Sequence, residues 1–223
     1  MARLPRLVVP NYPHHLTQRG VRSMDIFTCD EDRVAYLVFV AEECRRHDVE
    51  VLAWCLMSNH VHFIAVPKTE NSLARAFGEA HRRYTRMKNF AEKVRGYLFQ
   101  GRFSSSVLDQ THLYAAVRYV EQNPVSAGMT MQAGDYFWSS ARFHLGMVEH
   151  DPLVTDRTLL GLIKGWEEFL RGDDANGTAQ VVVATRTGRP AGDEDFLVSL
   201  EKKTGRTLCK KPAGRPRSST SGL

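Results

Sequence analysis

The sequence lacks the long apolar run of a membrane-spanning helix, because no stretch approaches roughly 18 consecutive apolar residues. No apolar segment of about 7 to 15 residues follows the N-terminal Met-Ala-Arg-Leu-Pro-Arg, as it would in a secretory signal. Cysteine is scarce, since the four cysteines lie far apart without a C-x-x-C pair. This pattern suits reduced thiols better than a disulfide framework. We therefore expect a cytoplasmic protein with no membrane partner.

The composition is that of a globular protein. Hydrophobic residues make up 43% of the 223 residues and charged residues 25%. Both values lie near the globular average, so a chain disordered throughout is excluded. The length suits one domain of ordinary size with an appendage, or two small domains.

The formal net charge of +5 is unevenly distributed. Residues 201–223 carry seven Lys or Arg against one Glu, so the other 200 residues sum to −1. Residues 75–102 carry eight Lys or Arg against two Glu. Basic stretches of this kind are typical of proteins that bind polyanions. Charge alone leaves a solvated face and a solubilising tail as an equal alternative.

Strand and helix patterns alternate through the first 150 residues. The strand-like stretches are 15–20, 49–54, 60–66 and 102–109. Apolar spacing predicts helices that begin near residues 30, 72 and 112. Thr111 is the expected N-cap of the last helix, and Pro124 predicts its end at about Asn123. The order β-α-β-β-α-β with one added helix predicts an α+β, ferredoxin-like or RRM-like sandwich with an antiparallel sheet.

The pattern changes after residue 150, so we divide the chain into a domain of residues 1–150 and an extension of residues 151–223. The extension is predicted to contain one helix over 159–170, a linker over 172–177 and a helical element from about residue 193. The basic end of the chain has no apolar period, which predicts a tail that is disordered by itself.

His60-Val61-His62 is the strongest local motif. On a strand, residues i and i+2 point to the same face, so both imidazoles would project side by side. Two neutral imidazoles at that separation form a natural pair of ligands for a divalent metal. The alternative is two ordinary histidines on a solvated strand face, and spacing alone leaves both open.

Tyr119 and Asn123 form a second candidate pair on the helix that begins near residue 112. At 100° per residue they lie about 40° apart, on one flank of the apolar stripe. A tyrosine hydroxyl can act as a nucleophile, and an amide oxygen can bind a hard cation. The alternative is a tyrosine that packs with its ring half-buried.

These motifs together bring out a family resemblance. His60-Val61-His62 resembles the HUH motif of single-strand DNA transposases that use one catalytic tyrosine, and the chain is similar in particular to the REP-associated tyrosine transposases of bacteria. Ser58 departs from the family pattern, which usually has proline there. The similarity spans residues 5–155, and the further motifs that follow the family order lie at 13–20, 81–85, 99–103, 118–128 and 138–141.

The resemblance implies a role for each of the four site residues. His60, His62 and Asn123 would hold a divalent metal, Mg²⁺ or Mn²⁺, and Tyr119 on the added helix would be the nucleophile. The protein would then be a metal-dependent endonuclease and strand transferase. It would cleave and rejoin single-stranded, hairpin-containing DNA through a 5′-phosphotyrosine. A bacterial cytoplasmic, nucleoid-associated location is expected, and the choice between monomer and homodimer stays open.

Residues that would contact the DNA form a larger set. A basic helix that also bears an aromatic residue suits backbone tracking, and polar side chains on the first strand could read a folded single strand. Gly214-Arg215-Pro216 resembles the core of a minor-groove arm, although a merely basic tail is an alternative. The side chains predicted to contact DNA are His14, His15, Gln18, Arg19, Arg82, Arg83, Arg86, Lys88 and Arg215.

Two competing functions remain. A non-catalytic nucleic-acid-binding protein on the same fold is disfavoured, because a protein that had lost catalysis should first have lost the four site residues. An H-x-H phosphoesterase that uses water as nucleophile is disfavoured, because no carboxylate cluster flanks His60. Among the other tyrosines, Tyr84 lies on an apolar stripe and Tyr114 faces away from Asn123.

Overall fold

A computed structural model of the protein describes residues 6–155 and 158–208. The strands are β1 (His14–Arg19), β2 (Val49–Leu56), β3 (His60–Pro67) and β4 (Ser104–Val107). The helices are α1 (Asp30–Arg46), α2 (Ser72–Ala91), α3 (Gln110–Ser126), α4 (Ala141–His144), α5 (Thr158–Leu162), α6 (Trp166–Arg171), α7 (Ala175–Thr187) and α8 (Glu194–Thr204). The order β1-α1-β2-β3-α2-β4-α3 is the predicted β-α-β-β-α-β with one added helix.

The four strands form one antiparallel sheet in the order β2-β3-β1-β4. β1 is central, and its His15 lies opposite Ile64 of β3 and Ser106 of β4. The insertion of β3 between β1 and β2 is the split βαβ arrangement. The predicted α+β fold class is therefore confirmed.

The two faces of the sheet bury different helices. Val61, Phe63 and Ala65 of β3 belong to the hydrophobic cluster that α1 and α2 build. Ile64, between them, belongs to a second cluster that α3 shares with α6 and α7 of the extension. Because successive strand residues alternate in direction, His60 and His62 fall on the α3 face with Ile64. The extension thus shares a core with the sheet, and the boundary at residue 150 stays a prediction.

Short stretches from later in the chain pair with both outer strands. On β4, the Ala191 amide donates to the Val107 carbonyl and the Ala191 carbonyl accepts from the Asp109 amide. On β2, the Leu56 amide donates to the Trp138 carbonyl, and the Trp54 carbonyl accepts from Ser140. Val107 of β4 and Trp54 and Leu56 of β2 are therefore already hydrogen-bonded on the outer side of the sheet.

α3 differs from its prediction at both ends. Its N-cap is Asp109 rather than Thr111, since the Asp109 carboxylate accepts from the His112 amide at 2.7 Å. It continues past Pro124, because Ala127 and Met129 donate to the carbonyls of Asn123 and Pro124 and close a further turn. Asn123 consequently lies inside the helix and not at its end.

The extension differs more. The predicted helix over 159–170 is two helices, α5 and α6, because Gly165, with a left-handed φ of 68°, interrupts the helical backbone between them. The predicted linker over 172–177 overlaps the start of α7, where the Asp174 carboxylate caps the Gly177 amide. The helical element near residue 193 is confirmed as α8, with Asp193 as its N-cap.

Two expectations drawn from absences can be compared with the structure. None of the helices in the described ranges combines the length and apolar character that crossing a bilayer takes. Cys29, Cys44 and Cys55 carry free thiols. Cys209 and the predicted tail contact Arg215 lie outside the described residues.

Candidate active site

β3 presents the two histidines of the H-x-H motif on the face that packs against α3. Their ring centroids lie 4.9 Å apart, and the rings are nearly perpendicular at 81°. His62 is buried, whereas His60 is partly exposed and its Nδ1 lies 2.6 Å from the Asn59 Oδ1. The predicted pairing of the two imidazoles on one strand face is therefore present.

α3 places Tyr119 and Asn123 against these histidines. The Tyr119 ring meets the His62 ring edge-on, with centroids 5.3 Å apart. One turn further along, the Asn123 side chain hydrogen-bonds the His60 ring. The strand alternation and the helix periodicity thus bring the four predicted residues into one site.

Both motif histidines are neutral at physiological pH. Burial lowers the pKa of His60 to about 4, helped by the positive charge of Arg19 and opposed by the hydrogen bond that the ring donates to Asn123. Burial also holds the pKa of His62 well below its usual range, with smaller contributions from His15, His60 and Arg19. A neutral imidazole keeps a lone pair free, which a metal ligand needs.

The donor set fits a divalent cation that keeps open coordination positions. The Nε2 atom of His62 is buried and has no hydrogen-bond partner. No group of three or more His, Cys, Asp or Glu in the described part of the chain is arranged to hold a metal. The available donors are therefore two imidazoles and the Asn123 amide. Such a partial set leaves positions for water and for phosphate oxygens, as Mg²⁺ sites commonly do.

A third histidine lies behind His62. The His15 and His62 rings are nearly parallel at 4°, and His15 Nε2 lies 2.9 Å from His62 Nδ1. On its other side, His15 Nδ1 lies 2.7 Å from the Thr185 hydroxyl of α7. Burial lowers the pKa of His15 to about 3. His15 is held inside the protein, so its predicted role as a DNA contact is not retained.

Buried hydrogen bonds fix the position of α3. Glu121 Oε1 accepts from the Ser140 hydroxyl and from His144 Nδ1, both at 2.6 Å, and Oε2 accepts from the Trp166 indole at 2.8 Å. All four residues are buried. Because Glu121 lies two residues from both Tyr119 and Asn123, this carboxylate fixes how α3 is rotated about its axis and where it lies along that axis.

Tyr119 and His62 line a cavity of about 430 Å³. Arg19 of β1, Arg102 and Arg186 of α7 line it too, and none of the three has a carboxylate partner among the described residues. Guanidinium groups bind phosphate oxygens through paired hydrogen bonds. The cavity therefore combines a hydroxyl, neutral imidazoles and unpaired positive charge.

Comparison with known proteins places this site in a family. The family model described as "Transposase IS200 like" matches residues 9–123, which contain β1 to β4 and all four site residues. The chain belongs to the IS200-like transposase family. A search of curated proteins finds no match.

The fold of this IS200-like transposase is also found in a solved structure. That structure is of a REP-associated tyrosine transposase bound to a REP hairpin, and it superposes with a TM-score of 0.53. The two sequences are 18% identical, and the match covers 70% of this chain and 92% of the other. At this identity the likeness establishes the fold. The predicted resemblance to a transposase family is confirmed by the family model.

The predicted DNA contacts on β1 of this transposase differ in exposure. His14 is buried, with Nε2 accepting from the Val9 amide and Nδ1 donating to the Tyr12 carbonyl, so it is not retained as a DNA contact. Gln18 is buried and donates to the Gly101 carbonyl. Arg19 is exposed at the cavity.

The basic face of α2 is largely neutralised within the protein. Arg82 pairs with Glu79, and Arg83 pairs with Glu42 and Glu43. Lys88 is buried and pairs with Asp32 and Glu92. Arg86 is exposed and has no ion pair with a described residue. Of the four predicted contacts on this helix, Arg86 is the one with a free charge.

A second and wider cavity, of about 920 Å³, adjoins the first. It lies between α2 and the segment 92–102, and the two cavities share Arg102. Phe90 and Tyr97 at this groove are each 88% exposed, and Lys93 and Arg95 lie beside them. The sequence predicts neither ring as a contact, because nothing in the spacing of Phe90 and Tyr97 distinguishes an exposed aromatic residue from a buried one.

Proposed function

We propose that this chain is a metal-dependent transposase that cleaves and rejoins single-stranded, hairpin-containing DNA through a 5′-phosphotyrosine on Tyr119. The observation that carries the proposal is the contact of Tyr119 with His62 in the same cavity, 5.3 Å between ring centroids. Membership of a transposase family supports DNA as the substrate. The REP hairpin bound by the structurally similar protein supports a hairpin in that DNA.

His60, His62 and Asn123 would hold the metal, Mg²⁺ or Mn²⁺. The buried, unpartnered Nε2 of His62 and the low pKa values of both imidazoles support this assignment. When bound, a divalent ion supplies Lewis-acid polarisation of the scissile phosphate.

The tyrosine chemistry needs no external energy source, because each step forms one phosphoester bond as it breaks another. The Tyr119 hydroxyl loses its proton and attacks phosphorus, so that a P–O(Tyr) bond forms while the bond from phosphorus to the 3′ oxygen breaks. The leaving 3′ oxygen gains a proton and becomes a free hydroxyl. Attack on the phosphotyrosine by another 3′-hydroxyl rejoins DNA and restores the phenol. Arg19, Arg102 and Arg186 would bind the non-bridging phosphate oxygens.

The DNA path continues from the first cavity into the second. Arg102 belongs to both, so a strand held at Tyr119 can pass it towards Phe90 and Tyr97. Exposed aromatic rings stack with bases, and the neighbouring Arg86, Lys93 and Arg95 would contact the backbone. Arg215 stays a predicted contact of the tail.

Trapping a covalent adduct tests the proposal. A hairpin oligonucleotide with single-stranded flanks is incubated with the full chain and Mn²⁺, and denaturing gels reveal any protein–DNA link. Tyr119→Phe removes only the hydroxyl, so the adduct should disappear while the protein folds and binds DNA. Tyr114→Phe is the matched control, because Tyr114 lies on the same helix and bonds Gln110 instead.

Mass spectrometry of the DNA-linked peptide separates the competing functions. A link at Tyr119 supports the proposal, and a link at Tyr84 or Tyr114 contradicts it. Binding without cleavage would identify a non-catalytic nucleic-acid-binding protein. Cleavage with no adduct would identify a phosphoesterase that uses water.

A further inference from the structure

We propose that Thr185, on the C-terminal extension, is a positioning residue that sets the ring tautomer of His62 through His15. The three side chains form one buried chain of hydrogen bonds from α7 to the site. The distances are 2.7 Å from Thr185 Oγ1 to His15 Nδ1 and 2.9 Å from His15 Nε2 to His62 Nδ1. The exposed fractions are 2% for Thr185, 1% for His15 and 4% for His62.

Only two neutral proton arrangements satisfy both hydrogen bonds. In the first, Thr185 accepts from His15 Nδ1–H, and His15 Nε2 accepts from His62 Nδ1–H. His62 Nε2 then carries a lone pair. In the second, every donor and acceptor is reversed, and His62 Nε2 carries a proton. Whether the Thr185 hydroxyl donates or accepts therefore determines whether His62 Nε2 carries a proton or a lone pair.

The surroundings of His62 Nε2 distinguish the two arrangements. This atom is buried and has no hydrogen-bond partner, so a proton on it would be a buried donor without an acceptor. A lone pair on Nε2 can instead bind a cation, so that the buried atom gains a partner. Among the described residues His15 is the hydrogen-bond partner of the Thr185 hydroxyl, and Thr185 lines the cavity. The hydroxyl can therefore donate into the cavity while its oxygen accepts from His15. We therefore assign the first arrangement, with both histidines protonated on Nδ1.

The inference adds the extension to the active site. Thr185 lies outside residues 9–123, which the family model matches, and it reaches the site because α7 packs against β1, β4 and α3. Hydrogen-bond partners behind a metal-binding histidine fix its tautomer and its orientation, and their loss typically weakens metal binding about 10- to 100-fold. The role of Thr185 in metal binding rests on the proposed function, whereas its control of the tautomer does not.

The test uses the full chain and three variants. Thr185→Val keeps the side-chain shape and removes the hydroxyl, and Thr185→Ser keeps the hydroxyl. Thr187→Val is the matched control on the same helix, because the Thr187 hydroxyl is exposed and donates to backbone carbonyls. Long-range ¹H–¹⁵N spectra of the metal-free proteins report the tautomer of each histidine. The free Mn²⁺ signal in electron paramagnetic resonance reports metal affinity.

We expect His15 and His62 to be protonated on Nδ1 in the wild type, in Thr185→Ser and in Thr187→Val. Thr185→Val should mix the His62 tautomers and weaken Mn²⁺ binding about 10-fold or more. A wild-type His62 protonated on Nε2, or unchanged tautomers in Thr185→Val, would overturn the inference. If Thr185→Val does not fold, the spectra of the wild type and of Thr185→Ser still show which His62 nitrogen is protonated. Absence of Mn²⁺ binding to the wild type would refute the metal proposal alone.

Discussion

Replacing Glu121 by glutamine should destabilise the protein by about 3 kcal/mol. The glutamine oxygen can keep the bonds from Ser140 and His144 only if its NH₂ group faces the Trp166 indole, which is also a donor. One buried hydrogen bond to a charged group is then lost, at about 1.5–3 kcal/mol, and the remaining two lose their charge assistance. The opposite amide orientation breaks two bonds and costs more.

A double-mutant cycle assigns this loss to the indole contact. Urea unfolding followed by far-UV circular dichroism gives the free energy of unfolding for Glu121→Gln, Trp166→Phe and the double variant. Because Trp166→Phe removes the opposing donor, the double variant should lose about 1 kcal/mol less than the sum of the single variants. Glu168→Gln, an exposed neighbour of Trp166, should stay within about 0.5 kcal/mol of the wild type.

The reasoning fails if Glu121→Gln costs less than about 1 kcal/mol, or if the two single losses simply add. Either result would mean that the carboxylate does not hold α3 through the three donors. Because Tyr119 and Asn123 are on the same helix, a large loss would also predict weaker cleavage by a protein that is still folded.

Four further outcomes are expected. His60→Ala or His62→Ala should abolish cleavage, measured on a labelled hairpin, while DNA affinity stays within a few-fold. Phe90→Ala with Tyr97→Ala should cost about 1–3 kcal/mol of single-strand binding per stacked base, measured by fluorescence anisotropy. Deleting residues 209–223, with their four Lys or Arg, should lower DNA affinity and flatten its salt dependence by roughly 0.7 per lost phosphate contact. Burial lowers the pKa of several histidines to about 3 or 4. These groups take up protons mainly in the unfolded state, so the free energy of unfolding should fall as pH drops from about 6.5 towards 4.

Each of these has a contrary result. Full cleavage by either histidine variant, or by the wild type in excess chelator, would remove the metal assignment. The stacking prediction fails if Phe137→Ala, a remote exposed control, weakens binding as much as the paired variant. Tighter binding after deletion would mean that the tail competes with DNA. A denaturation midpoint that does not change between pH 6.5 and 4 would contradict the buried neutral histidines.

Local periodicity predicted that each pair of candidate site residues shares one face, and the family resemblance supplied their roles. The two-residue repeat of a strand aligned His60 with His62, and the four-residue spacing of a helix aligned Tyr119 with Asn123. The order of the elements then gave the sheet, because few topologies accept β-α-β-β-α-β. Residue spacing within one strand or one helix can be read from the sequence alone.

The remaining features depend on contacts between distant segments. Thr185 meets His15 across 170 residues, and no repeat in the sequence relates them. α7 escaped prediction because its Val181-Val182-Val183 run is β-branched, which weakens helix propensity. Its burial against α3 outweighs that propensity. Burial of the predicted contacts His14 and Lys88 escaped prediction for a similar reason, since charge and polarity along a sequence do not reveal burial.

The pairing of the outer strands with later parts of the chain limits how two copies could associate. A dimer that continues the sheet from one copy into the next needs unpaired backbone groups along an edge. At the end of β4 the Val107 carbonyl pairs with Ala191, and at the end of β2 Trp54 and Leu56 pair with Ser140 and Trp138. Sheet extension would first have to displace these segments, one of which leads into α8. At these ends of the two strands the pairing opposes edge-to-edge aggregation, so a homodimer that used them would have to displace the paired segments.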